Sequence, residues 1–233
     1  ETWMKSLAAE MNLSETAFIL QDDNKFRIRF FSPMAEVPLC GHASLSSAHI
    51  LFETGIAKPE DTINFISKAG NLAAMYDNGW IILDFPAYQL KPVKVPEGIE
   101  KILGKRPVEF LLSSNGWSFA LLSSEKEVTE LSPDFILMKS SPYSDMIVTA
   151  PSADKNYDFC VRCFAPALGI NEDPVTGSAH CVLAPYWSER TGKTKFTSHQ
   201  VSKREGILKV ELKGNRVEIS GQAKTILKSE LFV

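Results

Sequence analysis

Arg29-Phe30-Phe31-Ser32-Pro33, followed by Glu36-Val37-Pro38-Leu39-Cys40-Gly41-His42-Ala43, has a second copy later in the chain. That copy is Arg162-Cys163-Phe164-Ala165-Pro166, then Glu172-Asp173-Pro174-Val175-Thr176-Gly177-Ser178-Ala179. Each reads Arg-x-Phe-small-Pro, a loop, then Glu-x-Pro-x-x-Gly-x-Ala. The loop differs by three residues, a change that a surface connection absorbs. A helical run follows each copy and ends in Glu53-Thr54-Gly55 or Glu189-Arg190-Thr191-Gly192. This many ordered matches point to two related domains in one chain. They are assigned to 1–106 and 107–233, with the crossover at 104–107.

The repeated unit has a physical logic. Segments 25–31 and 158–164 carry the alternation and aromatic content of strands, and each gives way to a Pro, which cannot extend a ladder. The Gly-x-Ala segment then opens a helix, Gly for a tight approach and Ala for close packing. Gly55 and Gly192 suit the left-handed position after a helix end. A helix start presents unpaired N–H groups and partial positive charge, which favour an anion. Two such units facing one another bring two helix starts to one cleft. Gly41, Ala43, Thr176 and Gly177 are then expected to hold a small carboxylate.

Working outward, strands are predicted over 62–67, 80–85, 108–112, 117–122, 146–150, 207–212 and 216–220, with short helices over 96–103 and 132–138. Turns such as Asp77-Asn78-Gly79 and Lys213-Gly214-Asn215 signal antiparallel hairpins, so the fold class is α+β rather than a doubly wound parallel sheet. Residues 1–12 read as an amphipathic helix with Trp3, Met4, Leu7, Ala8 and Met11 on one face. A domain that opens inside a helix leads us to expect an initial strand that this numbering lacks.

The 233 residues suffice for a sizeable core, and 44% hydrophobic with 23% charged residues is ordinary for a globular protein. A net charge of −3 with scattered basic residues gives no reason to expect nucleic acid or an anionic membrane as partner. No stretch approaches the roughly 20 apolar residues of a membrane span, and no signal segment is visible. Cys160 and Cys163 are separated by two residues in a strand, so as i and i+3 their side chains face opposite ways, which is wrong for a metal clip. Free buried thiols fit a reducing cytoplasm. The histidines lack metal-ligand spacing, and neither a P-loop nor a Gly-x-Gly-x-x-Gly is present, so no metal, nucleotide or flavin is expected.

Glu15 lies between the opening helix and a strand over 17–20, among apolar and small residues. It is either a solvated loop carboxylate or one held in a cleft, where burial would raise its pKa toward neutral pH and suit it to proton transfer. His42, at a helix start, can bind a ligand or cap the helix. Asp173 and Ser178 occupy the equivalent region of the second copy, where Asp and Ser are also ordinary capping residues. A Ser178–His42–Asp173 triad is conceivable, but Thr176-Gly177-Ser178-Ala179 lacks the second Gly of a nucleophile elbow.

Segments Glu10 to Phe18, Val37 to Ala43 and Phe164 to His180 together resemble the hallmark segments of the phenazine-biosynthesis PhzF family, in the same order and over nearly the whole chain. The resemblance implies a two-domain fold similar to diaminopimelate epimerase, each half wrapping strands around a central helix. It also implies a cofactor-independent isomerase, commonly a homodimer, with its site between the halves. The phenazine-pathway member moves a proton on trans-2,3-dihydro-3-hydroxyanthranilate. Carried over, Glu15 is the proton-shuttling acid/base, with His42, Asp173 and Ser178 as its companions. The family usually opens with a strand and a Gly-Asn-Pro turn, and has Arg-Gly-Gly where Arg204-Glu205-Gly206 stands here and Thr where Ser44 stands. Two alternatives stay open. Cys40 matches the first cysteine of a two-thiol racemase, although no thiol stands near Pro174. The chain could also be a binding or adaptor protein that kept the fold and lost the chemistry.

Overall fold

The computed structural model describes residues 1–23 and 25–231. Helix α1 (Thr2–Met11) leads into β1 (Thr16–Asp22), β2 (Lys25–Phe31), the short β3 (Glu36–Val37), α2 (Gly41–Glu53), β4 (Ile63–Ser67), β5 (Gly70–Asp77) and β6 (Trp80–Pro86). There follow β7 (Leu90–Val93), α3 (Ile99–Leu103), β8 (Glu109–Ser113), β9 (Ser118–Leu121), α4 (Glu125–Thr129) and α5 (Phe135–Ser140). The chain ends with β10 (Met146–Pro151), β11 (Phe159–Ala165), β12 (Ile170–Asp173), α6 (His180–Thr191), β13 (Lys195–Gln200), β14 (Gly206–Lys213) and β15 (Arg216–Gly221). The fold is α+β, as the hairpin signals indicated. One continuous sheet runs β1-β2-β4-β5-β6-β15-β14-β13-β11-β10-β9-β8-β7.

The repeated letters acquire a structural reason. Arg29 of β2 forks onto Glu36 of β3 with two bonds of 2.8 Å, and Arg162 of β11 forks onto Glu172 of β12 at 2.6 and 2.8 Å. Each guanidinium also lies 5.1 Å from the ring two residues on, Phe31 or Phe164. Arg, Phe and Glu recur together because each half closes the same strand–loop–strand with a planar two-point ion pair that only Arg supplies. The second fork goes further: Arg162 Nη1 donates to the carbonyls of Val128 and Leu131, so the charge is enclosed by the α4 segment.

The two helices that follow are packed differently. Helix α2 buries Ala43, Ser44, Ser47, Ala48 and Leu51, a small-residue face that lets strands come close. Helix α6 buries His180 to Ala184 together with Tyr186 and Trp187, which is burial nearly all round, as expected of a central helix. It tolerates Pro185 in its interior. A proline there has no N–H for the carbonyl of Cys181, and Tyr88 N–H donates to that carbonyl instead at 2.8 Å. Residues of α2, α6 and strands from both halves share one core cluster.

The halves are stitched by β15, which pairs antiparallel with β6, and by Arg216, whose guanidinium bonds Asp84 at 2.9 Å from both Nε and Nη2. Strand β7, within 1–106 in the chain, pairs with β8, and α3 buries Ile99 and Leu103 against Phe110, Val148 and Phe164. Cys163 faces the larger core cluster and Cys160 the smaller one, in keeping with their opposite directions on β11. Of the apolar face expected on the first helix, only Ala8 is buried; Trp3 stays half exposed and meets Phe18 edge-on at 5.7 Å. Strands β3, β5, β7, β12 and β13 were not anticipated. Each is short or rich in Lys, Thr, Ala and Gly, and is ordered by its neighbours rather than by its own pattern.

Candidate active site

The helix start of α2 and the turn that opens α6 meet backbone to backbone. A Cβ on Gly41 would lie 3.1 Å from Gly177 Cα and 3.2 Å from Ser178 N, so any side chain there would press the two backbones apart. The second helix start is tighter than the first: Gly177–Ala179 forms a 3-10 turn before α6 begins at His180. The first N–H groups of each helix have no acceptor within the helix. Two such starts in contact make one electropositive patch, suited to an anion.

Glu15 reaches this junction from the α1–β1 connection. Asn12, in the left-handed conformation at φ 49°, ends α1 and turns the chain so that Ser14 and Glu15 face the start of α2. Glu15 Oε2 lies 3.0 Å from His42 Nε2, and its side chain is only 12% exposed. The contact is close without being an aligned hydrogen bond, and that oxygen has no other partner among the described residues. Ser14 Oγ is 3.1 Å from the same His42 nitrogen, and Cys40 Sγ is 3.6 Å from both ring nitrogens.

The electrostatics correct one expectation. Burial does push the Glu15 carboxyl up, but His42, Cys40 and Ser14 outweigh it, and its pKa falls below the ordinary carboxylate value. Burial likewise pushes His42 down, while Cys40, Glu15 and Asp173 outweigh it and hold the imidazole well above its usual value. Glu15 and His42 therefore rest as carboxylate and imidazolium near neutral pH, rather than as a neutral acid beside a neutral base.

Across the junction, Asp173 ends β12 and is buried. Its Oδ2 accepts from Thr176 Oγ1 at 2.5 Å, and its Oδ1 is buried with no partner among the described residues. Burial raises the Asp173 pKa, offset in part by the charge of His42. Gln200, which the sequence did not single out, locks this loop: its Oε1 accepts from Thr176 N–H at 2.6 Å and its Nε2 donates to Asp173 O at 2.7 Å. No local motif marks Gln200; it arrives because β13 pairs with β11.

The residues singled out beforehand thus fall into connected groups. Glu15, His42 and Cys40 touch; Asp173 and Thr176 touch; Gly41 and Gly177 touch; Ala43 and Ala179 are buried behind them. Ser178 sits at the junction half-buried, and the His42 nitrogens bond Ser14 and Cys40 rather than Ser178, so a Ser–His–Asp triad is not assembled. His180 is a core residue: Nδ1–H donates to Thr176 O at 3.1 Å and Nε2 meets Ser198 Oγ at 2.8 Å, with burial pulling its pKa down to about 4.

With this geometry in view, the likeness to known proteins can be read in structural terms. A family model described as phenazine biosynthesis-like protein, PhzC-PhzF, matches residues 1–229. An uncharacterized isomerase of Halalkalibacterium halodurans is 45% identical, over 100% of this chain and 88% of its own. An uncharacterized isomerase of Pseudomonas aeruginosa is 43% identical, over 98% of this chain and 86% of its own. The crystal structure of a PhzF family protein from Enterococcus faecalis superposes with a TM-score of 0.92 at 39% identity, over 100% of this chain and 88% of that one. A probable proline racemase from Agrobacterium radiobacter, 14% identical with a TM-score of 0.66, shares the fold. No helix among the described residues is long and apolar enough to cross a membrane. Family match and full-length likeness agree: the chain belongs to the PhzC-PhzF family of phenazine biosynthesis-like proteins.

Proposed function

We propose that this protein is an isomerase that moves a proton on a small carboxylic acid, without a cofactor, at the junction of the two helix starts, with Glu15 as acid and base. The observation that carries this reading is the Glu15 carboxylate: mostly buried, 3.0 Å from His42 Nε2, and kept ionised by that cation. An ionised, desolvated carboxylate beside an anion-binding patch can take a proton from a carbon next to the substrate's conjugated acid. The C–H electron pair moves into the π system, and the new O–H bond of Glu15 holds the proton. The same carboxyl then returns it to another carbon, restoring Glu15 and shifting the double bond. Helix-start N–H groups from His42, Ala43, Ser178 and Ala179 would stabilise the charge that develops between those steps, because they are fixed before the reaction begins. Asp173 with its free Oδ1, held by Thr176 and Gln200, is placed to accept a hydrogen bond from a substrate amino or hydroxyl group.

The donor atoms of Glu15, Cys40 and His42 lie within 4.8 Å of one another. A base on one side of a substrate favours return to the same face. Two-base racemisation needs a second base opposite the first, and Thr176 stands where the repeat would place the partner of Cys40. The family's homodimer and cytoplasmic setting belong to the same proposal.

Solvent-deuterium incorporation followed by NMR tests it, on trans-2,3-dihydro-3-hydroxyanthranilate and a panel of cyclic and amino acids. Glu15→Gln is expected to lower the exchange rate by about 10²–10⁴-fold, the usual weight of a general acid/base. Exchange that survives Glu15→Gln and disappears in Cys40→Ser would replace the mechanism with thiol chemistry. Absence of exchange with every compound would favour the binding-protein alternative.

A further inference from the structure

Glu15, Cys40 and His42 have a chemistry together that proton transfer does not use. The set is one carboxylate oxygen, one thiol sulfur and one imidazole nitrogen, all within 4.8 Å of one another. Cys40 Sγ lies 3.6 Å from His42 Nε2, and Glu15 Oε2 lies 3.0 Å from that nitrogen. In a tetrahedral zinc site, with bonds of about 2.3 Å to sulfur and about 2.0–2.1 Å to nitrogen or oxygen, neighbouring donors stand roughly 3.5 Å apart. Two of the three donor pairs already have nearly that spacing, and the third lies within 4.8 Å. The side chains are also fixed from behind: Cys40 is the residue before α2, His42 is in its first turn, and Gly41 between them is pinned against Gly177.

Cys40 is 5% exposed and the Glu15 side chain 12%, but the His42 side chain is 31% exposed, which leaves a path for an ion and a fourth position for water or substrate. Three protein donors with one open position is the ligand count of reactive rather than structural zinc sites. Mixed sulfur, nitrogen and oxygen donors select Zn²⁺-like cations over Mg²⁺ or Ca²⁺, which favour oxygen alone. Glu15 Oε2, buried without an aligned hydrogen bond, gains a partner if a cation sits there.

We infer that Glu15, Cys40 and His42 form a three-ligand site for Zn²⁺ or a similar soft divalent cation, which occupies the acid/base and switches the enzyme off. Binding forms Zn–S, Zn–N and Zn–O bonds, and the protons of the Cys40 thiol and the His42 imidazolium pass to solvent. The inhibitory consequence rests on the proposed role of Glu15; the binding itself does not.

Cobalt(II) is the probe. Chelator-treated protein is titrated with CoCl₂ without substrate, under reducing conditions. The expected result is one cobalt per chain, a thiolate-to-cobalt charge-transfer band and intense four-coordinate visible bands, all removed by added Zn²⁺. The charge-transfer band is expected to vanish in Cys40→Ser and Cys40→Ala, with circular dichroism confirming that both are folded. Affinity in His42→Gln is expected to fall by more than the roughly 10–100-fold that loss of an outer partner costs. No charge-transfer band in the parent protein, or a band that persists in both Cys40 variants, overturns the site. Deuterium exchange measured separately with chelator present tests the isomerase reading. Cobalt bands without exchange leave the site standing and remove the isomerase; exchange without bands does the reverse.

Discussion

The contact between Gly41 and Gly177 allows a sharp test of how the site is held. In Gly41→Ala the new methyl would stand 3.1 Å from Gly177 Cα and 3.2 Å from Ser178 N, both backbone atoms that no rotamer change can move. Carbon pairs rest at about 3.5–4.0 Å, so the two helix starts must part by roughly 0.4 Å or more. Overpacking of this kind costs about 1–3 kcal/mol. Replacing Gly by Ala in a helix returns up to about 1 kcal/mol through propensity and a less disordered unfolded chain. The net expectation is a loss of about 0–3 kcal/mol, a fall in Tm of up to about 12 °C for a protein of this size. The functional loss should be larger in proportion, because a misplacement of about 1 Å at a reacting geometry costs around 10² in rate. Exchange is therefore expected to fall by about five- to tenfold, in kcat more than in KM.

The reciprocal change is the control. A methyl on Gly177 would find Gly41 Cα at 3.4 Å, which is ordinary contact, so Gly177→Ala should be nearly neutral in Tm and milder in rate. Thermal melts and deuterium-exchange kinetics on both variants decide the matter. If Gly41→Ala melts and turns over like the parent, or if Gly177→Ala is the more damaging, the argument that this junction sets the site geometry is refuted.

Three further outcomes follow from the electrostatics and backbone. Exchange should hold a plateau through neutral pH, falling on the acid side below pH 4.5 as Glu15 is protonated and on the alkaline side well above 6.5 as His42 loses its proton; a steep limb near 6.5 would contradict the charged pair. His180 is depressed to about 4 in the folded state against 6.5 unfolded, so its neutral burial contributes stability above pH 6.5 that is lost as pH falls toward 4. That loss is about 3 kcal/mol, and urea unfolding at the two pH values should show His180→Gln less pH-sensitive than the parent by this amount; equal sensitivity would refute it. Glu205 holds φ 59°, a conformation costing a non-glycine residue about 1–2 kcal/mol, and its exposed carboxylate meets His199 only at 3.5 Å. Glu205→Gly is expected to raise Tm by about 2–4 °C; a lower Tm would show that the His199 contact outweighs the strain.

What could be read in advance was the repetition, since two copies of Arg-x-Phe and Glu-x-Pro-x-x-Gly-x-Ala are visible as letters. The forks Arg29–Glu36 and Arg162–Glu172 explain why those letters recur, and the meeting of Gly41 with Gly177 explains why both copies keep glycine where a helix begins. Local pattern could not supply what comes from distant pairing. Gln200 reaches Asp173 only because β13 lies beside β11, and Tyr88 repairs the bond that Pro185 removes only because the connection between β6 and β7 passes α6. The sign of the Glu15 shift was misjudged for the same reason. Neighbouring letters left Glu15 open to solvent or to a cleft and gave only burial as a source of a shift, whereas the cation that outweighs burial, His42, is brought there by the fold. This bears on mechanism. A carboxylate raised by burial would wait as an acid and need a base elsewhere, whereas one held ionised by His42 starts as the base and becomes the acid only with the substrate's own proton. One residue can then serve both steps, and Cys40 need serve neither.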